Sequence, residues 1–152
     1  MPLFLGGACC VLHGRGEIVA EAPRLPAGWA VLILPPIELS TQAVYAAWDE
    51  TGAASDRSAR LDPIELLSGA TSLEALMPRL FNDLEAPARC VSREFDRAFA
   101  RMQRLSDDSV RMTGSGSGMF RLFDASQAAE RFAGLVGESD AFRVEVAPIP
   151  HE

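Results

Sequence analysis

The chain has 152 residues, of which 48% are hydrophobic, and a formal net charge of −7 at pH 7. This length and apolar content are enough to bury one hydrophobic core, so general disorder is not expected. The negative charge repels phosphodiester backbones, which argues against a nucleic acid as partner.

The sequence indicates neither a metal site nor a membrane anchor. Cys9, Cys10 and Cys90 form no CxxC pair and have no histidine at metal-ligand spacing. The start, MPLFLGGACCVL, has no basic n-region, and its glycines interrupt the apolar run before it reaches the roughly 7 residues that a signal peptide needs. Residues 29–36 form an apolar stretch far shorter than the roughly 20 residues of a membrane span. We therefore expect a reduced protein in the cytoplasm, with no membrane partner.

The first part of the chain predicts three strands. Residues 3–12 and 17–22 are short apolar runs bounded by glycine, and residues 13–16, HGRG, are a natural hairpin connection between them. Residues 29–34, WAVLIL, form a continuous apolar run that two prolines stop. Because this run does not alternate with polar residues, we expect a strand that is buried on both faces.

Two helical regions and a loop are predicted next. Ser40 or Thr41 can cap a helix that continues to about Trp48. Residues 51–61 are small and polar, which indicates a surface loop without visible chemistry. Residues 62–65, DPIE, combine a cap, a proline at the first helical position and an acid in the first turn, and they start the first of two short helices.

The longest predicted helix runs from near Glu85 to Leu105. Its apolar residues recur at intervals of three and four, which is the spacing of one helix face. They are Ala88, Val91, Phe95, Ala98, Phe99, Met102 and Leu105. A helix that packs this face on a core accounts for the pattern without a cofactor.

The last part of the chain predicts strands at residues 110–112, 119–123 and 142–147, with a helix at 125–136 between the second and the third. Together with the strand at 29–34 and the helices after it, this order fits a split βαβ unit or a ferredoxin-like sandwich. We therefore expect the α+β class.

A glycine-rich loop, MTGSGSGMF at residues 112–120, has glycine at every second position. A Walker A loop would end in lysine followed by serine or threonine, and a Rossmann loop would lead into a helix, whereas this loop leads into a predicted strand. Two interpretations remain open. The loop is either a backbone nest that holds an anion with N–H and hydroxyl groups, or a plain glycine-rich turn.

Five segments and one tyrosine carry a resemblance to a known family. They are LFLGGA at 3–8, GRGE at 14–17, PPIELST at 35–41 with Tyr45 after it, FNDLE at 81–85, and MTGSGSGMFRLF at 112–123. In this order they resemble the carboxy-terminal half of the 4-diphosphocytidyl-2-C-methyl-D-erythritol kinases, within the GHMP kinase superfamily. The resemblance covers nearly the whole chain, and the combination of NDLE with the SGSG loop is its most specific part.

The resemblance implies a small-molecule kinase. In that family the γ-phosphate of ATP is transferred to the 2-hydroxyl of a cytidine diphosphate-linked methylerythritol, in isoprenoid precursor synthesis by the non-mevalonate route. It also implies ATP and Mg²⁺ as cofactors of the complete enzyme. The active site is expected between an amino-terminal ATP domain and a ferredoxin-like carboxy-terminal domain. Residues 1–26 would then be strands of the first domain, and residues 27–152 would form the second.

The resemblance also implies roles for individual residues of this chain. Thr41 and Tyr45 match the stretch that holds an aromatic ring against the cytosine, although a core or interface tyrosine explains Tyr45 nearly as well. The third GHMP motif, which shapes the phosphoryl-transfer site, matches Thr113, Gly114, Ser115, Gly116 and Ser117. Asn82, Asp83 and Glu85 are interpreted chiefly as a helix start, with acids near the positive end of the helix dipole.

The catalytic groups of the family have no match in this chain. The family's glycine- and serine-rich ATP loop and its amino-terminal lysine have no counterpart in this sequence. By the same resemblance, the family's catalytic aspartate would lie immediately before Met1. We therefore expect no catalytic residue and no metal ligand here, and neither tight ATP binding nor phosphoryl transfer by the isolated chain. The missing amino-terminal domain, or a separate subunit, would be its partner.

A non-catalytic alternative also stands. The chain could be a ferredoxin-like module, derived from such a kinase, that binds a small ligand or forms a dimer. The strands predicted within residues 3–22 would leave an exposed sheet edge when alone, which favours pairing with another domain or with a second copy.

Overall fold

The computed structural model describes residues 9–13, 17–50, 62–139 and 142–149. These residues form the strands β1 (Cys10–His13), β2 (Ile18–Glu21), β3 (Gly28–Leu34), β4 (Arg111–Met112), β5 (Met119–Phe123) and β6 (Arg143–Ile149). The helices are α1 (Thr41–Glu50), α2 (Pro63–Ser68), α3 (Leu73–Leu76), α4 (Glu85–Val91), α5 (Arg93–Leu105) and α6 (Ser126–Ser139), and a 3₁₀ turn at Met77–Arg79 follows α3.

Two antiparallel sheets organise the described residues. Strands β1 and β2 pair only with each other there, and the second sheet has the order β4-β5-β3-β6. Strand β3 lies inside this sheet, where Val31 pairs with Arg121 of β5 and with Val146 of β6. The predicted α+β class is confirmed. Residues 14–16 of the hairpin connection predicted at 13–16, most of the strand predicted at 3–12, and the loop predicted at 51–61 lie outside the described residues.

The main core lies on one face of the larger sheet. Val31 and Ile33 of β3 are fully buried, and they belong to the same apolar cluster as Phe95 and Phe99 of α5 and Phe132 of α6. This burial of large apolar side chains is the main stabilising contribution of the fold.

A smaller cluster covers the other face of the sheet, where Leu73 and Met77 pack with Leu122 of β5. Ala30 and Leu32 of β3, which alternate with the buried residues, are only half-buried. The expected burial of this strand on both faces is therefore complete at Val31 and Ile33 on one face and partial on the other. The reason is that α3 and the turn after it are too short to cover the second face as fully as α5 and α6 cover the first.

The single helix predicted from Glu85 to Leu105 is wrong, because the chain leaves the helical conformation at Ser92. This residue has φ −133° and ψ 112°; its N–H donates to the Ala88 carbonyl at 3.2 Å, and its Oγ accepts from the Phe95 N–H at 3.2 Å. Ser92 thus ends α4 and caps α5. Ala88 and Phe95, on either side of the break, are both fully buried and keep the spacing of one helix face. The apolar spacing therefore could not reveal the break at Ser92.

The other predicted helix starts agree with the structure. Ser40 Oγ accepts from the Ala43 N–H at 3.2 Å and caps α1, and Asp62 Oδ1 accepts from the Ile64 N–H at 2.7 Å and caps α2. Across the described ranges, no helix has the length and apolar content needed to cross a bilayer.

The break at Ser92 yields a stability prediction. Ser92→Ala removes the side-chain cap of α5 and is expected to lower the free energy of unfolding by about 1 kcal/mol. Ser92→Asp keeps an oxygen acceptor at this position and should retain most of that stability. Urea unfolding of the two variants and the wild type measures both differences. Equal stability of Ser92→Ala and the wild type would show that the cap is not needed.

Candidate functional site

The glycine-rich segment forms the connection between β4 and β5. Within it the Thr113 N–H donates to the Gly118 carbonyl at 2.9 Å, and the Gly116 N–H donates to the Thr113 carbonyl at 3.1 Å. Gly114 and Gly116 have φ values of 56° and 83°, in the left-handed region that favours glycine. Residues 113–118, which we call the glycine loop, therefore form a closed turn whose backbone favours glycine at these two positions.

Two hydroxyl groups connect the glycine loop to the segment that follows β3. Ser115 Oγ lies 2.9 Å from Thr41 Oγ1, at the first residue of α1. Ser117 Oγ donates to the Ile37 carbonyl at 2.5 Å. The structure thus brings together Thr41 and Ser115, which the sequence analysis placed in two separate functional groups. The Ser117 hydroxyl, in contrast, is engaged with the backbone.

Tyr45 lies one helical turn after Thr41, on the same side of α1. Its side chain is 50% exposed. An exposed aromatic ring at this place offers a flat face on which a planar ligand can stack. The core alternative for Tyr45 does not agree with this exposure, while a role in an interface remains open.

Asn82 holds the glycine loop from the side of α4. Its side-chain amide donates to the Met112 carbonyl at 3.0 Å and to the Gly114 carbonyl at 2.8 Å. Its Oδ1 accepts from the Leu84 N–H at 3.0 Å, which supports the entry to α4. The interpretation of this segment as a helix start is therefore incomplete. Periodicity cannot reveal a contact between residues so far apart in the chain; the only available signal was that NDLE and SGSG belong to the same resemblance.

Glu85, the first residue of α4, is half-buried behind the loop. Burial raises the pKa of its carboxyl group above the ordinary value. A hydrogen bond from the Met112 N–H and the positive charges of Arg111 and Arg89 act in the opposite direction without cancelling it. Asn82 and Glu85 thus contact both polar groups of the Met112 backbone.

The glycine loop provides neutral hydrogen-bond donors. The Thr113 and Gly116 amides are engaged inside the turn, so a nest would use the amides of Gly114, Ser115 and Ser117. The hydroxyls of Thr41 and Ser115 share one hydrogen bond, which leaves one O–H to donate to a ligand. These groups suit phosphate oxygens, and the structure is equally compatible with a turn that holds no ligand.

Carboxylate ligands for Mg²⁺ are not part of this arrangement. Within the part of the chain that the structure describes, no three His, Cys, Asp or Glu side chains are grouped in a way that could hold a metal ion. The described residues therefore provide no Mg²⁺ site built from protein side chains alone. The groups of this loop can bind and orient a ligand.

Comparison with known families identifies the domain. Residues 43–136 match the model described as GHMP kinases C terminal. The chain belongs to this family. Its matched region runs from α1 through the glycine loop and most of α6, and it contains every hydrogen bond of Asn82 described above.

Curated relatives agree with this assignment. The chain is 31% identical over 137 residues to 4-diphosphocytidyl-2-C-methyl-D-erythritol kinase of Hyphomonas neptunium, covering 90% of this chain and 46% of that protein. It is 32% identical over 155 residues to the protein of the same name in Paracoccus denitrificans, covering 99% and 55%. This GHMP kinase domain thus spans about half the length of the curated relatives that it matches.

Two solved kinase structures are also similar to this chain over about half of their own length. A crystal structure of 4-(cytidine 5'-diphospho)-2C-methyl-D-erythritol kinase superposes with a TM-score of 0.62 and 26% identity, over 90% of this chain and 48% of that one. Homoserine kinase from Cytophaga hutchinsonii superposes with a TM-score of 0.60 at 15% identity, over 99% and 50%, which is a likeness of fold.

The backbone of the glycine loop yields a second prediction. A Cβ atom added to Gly116 would lie 2.7 Å from Leu39 Cδ1 and 2.9 Å from Met112 Sδ. Because the residue also has a positive φ, Gly116→Ala is expected to lower the free energy of unfolding by about 1 to 3 kcal/mol. Gly134→Ala is the matched control: the site is exposed in α6 with open space around it, so about 0.5 to 1 kcal/mol should be gained. Denaturant unfolding that finds Gly116→Ala as stable as the wild type would contradict this account.

Glu85 yields a pH prediction. A raised pKa means that the folded chain binds the Glu85 proton more tightly than the unfolded chain does. The contribution of this group to stability is therefore complete below the ordinary value of 4.5 and is lost as the pH rises through the raised pKa. Glu85→Gln removes the titration and keeps an oxygen acceptor for the Met112 N–H. The stability of the wild type relative to Glu85→Gln should fall as the pH rises, as measured by urea unfolding from about pH 3.5 to pH 8. A constant difference, or one that grows with pH, would show that the pKa is not raised.

Proposed function

We propose that this chain supplies the carboxy-terminal part of a GHMP-type kinase that phosphorylates 4-diphosphocytidyl-2-C-methyl-D-erythritol with ATP, in isoprenoid precursor synthesis. The observation that carries the proposal is the contact between Thr41 Oγ1 and Ser115 Oγ at 2.9 Å. It joins the segment proposed to bind substrate to the loop proposed to bind phosphate. The names of the curated relatives support the choice of substrate.

The chain's own residues would bind and orient the reactants. Phosphoryl transfer depends mainly on positioning and on electrostatic stabilisation of the phosphates. Backbone amides and hydroxyls of the glycine loop would hold phosphate oxygens, and Tyr45 would stack on the cytosine ring. ATP, when bound, supplies the phosphoryl group. No segment of these 152 residues matches the family's ATP loop or its catalytic aspartate, so we expect no turnover from the isolated chain.

The proposed arrangement has two parts. For residues 27–152, the element order β3, helices, β4, β5, α6, β6 with the sheet order β4-β5-β3-β6 supports a ferredoxin-like sandwich. For residues 1–26, the support is that β1 and β2 form a separate sheet with exposed apolar side chains on both faces. Leu12 and Val19 share one face, and Ile18 lies on the other. We assign this hairpin to the amino-terminal kinase domain, which would cover it.

The same exposed hairpin favours a second candidate function. Leu12, Ile18 and Val19 are 47%, 56% and 44% exposed, and exposed apolar strands tend to pair with another chain. The alternative is a non-catalytic, ligand-binding or dimer-forming module. In that case a second copy, rather than a kinase domain, would cover the hairpin.

A chimeric kinase tests the proposed function. This chain replaces the matching part of the Paracoccus denitrificans relative, which keeps its own amino-terminal part. We expect phosphoryl transfer from radiolabelled ATP to 4-diphosphocytidyl-2-C-methyl-D-erythritol by the chimera, and none by the chain alone. Thr41→Val removes one partner of the Thr41–Ser115 contact and should lower kcat/KM by about tenfold, whereas Thr41→Ser keeps the hydroxyl and should not.

Other outcomes would contradict the proposal in distinct ways. A chimera that phosphorylates homoserine in preference would show that the acceptor is wrong. A folded chimera that binds ATP and transfers nothing, together with a concentration-dependent dimer of the isolated chain in size exclusion, would favour the non-catalytic module. Turnover by the isolated chain would contradict the expectation that it lacks the catalytic groups.

A further inference from the structure

Asn82 connects the entry of α4 to the backbone of the glycine loop. We propose that Asn82 is the positioning residue of this loop: its side-chain amide holds the loop in the conformation that presents the Ser115 N–H and hydroxyl groups to a phosphate. The loop-holding role follows from the hydrogen bonds of Asn82. The role in phosphate binding rests in addition on the function proposed above.

All the polar groups of the Asn82 side chain are used. An asparagine amide has two N–H donors and one carbonyl acceptor. The donors contact the Met112 and Gly114 carbonyls at 3.0 and 2.8 Å, and the acceptor receives the Leu84 N–H at 3.0 Å. A rotated amide would place its oxygen against two carbonyl oxygens and its NH₂ against an N–H, so these partners determine the orientation of the group.

The two carbonyls that Asn82 contacts lie on either side of Thr113. Holding them fixes the peptide planes through which the chain enters the loop, at the point where Gly114 takes its positive φ of 56°. In a planar trans peptide the C=O and the following N–H point in opposite directions. Because the Gly114 carbonyl points at Asn82, the Ser115 N–H points away from it. Asn82 thereby sets the direction of a donor that a phosphate nest would use.

Ser115 is held at the same time by its side chain. Its hydroxyl contacts Thr41 on α1, while its backbone direction depends on Asn82 at the start of α4. The backbone of Asn82 is itself held, since its carbonyl accepts from the Glu85 N–H at 3.0 Å. The loop conformation at Ser115 therefore depends on α1 and on the segment that leads into α4, and Asn82 is the contribution of that segment.

Asn82→Asp separates the loop-holding role from the helix-start role. The carboxylate keeps an oxygen acceptor for the Leu84 N–H, and a negative charge at a helix start is favourable. It has no donor, however, and it places its charge against the Met112 and Gly114 carbonyls. If Asn82 only started the helix, this variant would be at least as stable as the wild type, with an unchanged loop.

The first measurement is amide hydrogen exchange in the full chain near pH 7. We expect exchange at Thr113 and Gly116, whose amides are hydrogen-bonded inside the loop, to become about tenfold faster in Asn82→Asp, with little change at the core residues Val31 and Phe99. Ser72→Ala is the matched control, because it removes a comparable side-chain bond, from the Ala75 N–H to Ser72 Oγ at 3.0 Å, away from the loop. Unchanged loop exchange in Asn82→Asp, or equal acceleration in the control, would overturn the proposal. Asn82→Ser, which also lacks the amide, gives the same test if the aspartate variant does not fold.

The second measurement titrates inorganic pyrophosphate into the chain and follows the NMR shifts of the loop amides. We expect the wild type to show shifts centred on Ser115, and Asn82→Ser, which lacks the amide and adds no negative charge, to show at least tenfold weaker binding. Equal binding by both proteins would overturn the positioning role. A third outcome is possible, in which the wild type binds no pyrophosphate while Asn82→Asp still accelerates amide exchange in the loop. That result would contradict the proposed phosphate site and the presentation of Ser115 to a phosphate. It would support only the loop-holding role of Asn82.

Discussion

The hydrogen bond from Ser117 Oγ to the Ile37 carbonyl, at 2.5 Å, is the contact on which the arrangement of the site depends. It requires the connection between β4 and β5 to pass close to the chain that leaves β3. The sheet provides this proximity, because Ile33 near the end of β3 pairs with Met119 at the start of β5. A shift of one residue in this register would turn every side chain of β5 to the opposite face and move the loop away from Ile37. The burial that fixes the register therefore also fixes the site.

The loop is held by groups that differ in chemistry on its two sides. Hydroxyl groups connect it to the α1 side, through Thr41 and the Ile37 carbonyl. An amide and a half-buried carboxylate hold it on the α4 side, through Asn82 and Glu85. Helices α1 and α4 also contact each other. A change in the packing of these two helices would consequently alter both sides of the loop at once.

Local signals predicted the elements well and the contacts between them poorly. The apolar run WAVLIL and the glycine pattern between two short apolar segments were sufficient to predict β3 and a loop between β4 and β5. The break at Ser92 was missed because the buried residues Ala88 and Phe95 keep helical spacing across it. The contacts of Asn82 could not be derived from spacing, because they join segments that are distant in the chain and come together only when the sheet and helices pack. Whether the loop binds phosphate stays a prediction of the sequence, since the same glycine backbone serves a turn and a nest.

The charge distribution explains why the proposed role of this chain is to orient a phosphate rather than to neutralise it. The glycine loop itself carries no cationic side chain, and the chain as a whole has a net charge of −7. Arg111 precedes the loop in sequence, but its guanidinium donates to the backbone carbonyls of residues 80, 108 and 110. Neutral amides and hydroxyls can determine where phosphate oxygens lie, yet they offset little of the phosphate charge. In the proposed kinase, the cations that stabilise the transferred phosphoryl group are therefore assigned to the amino-terminal domain and to the metal ion bound with ATP.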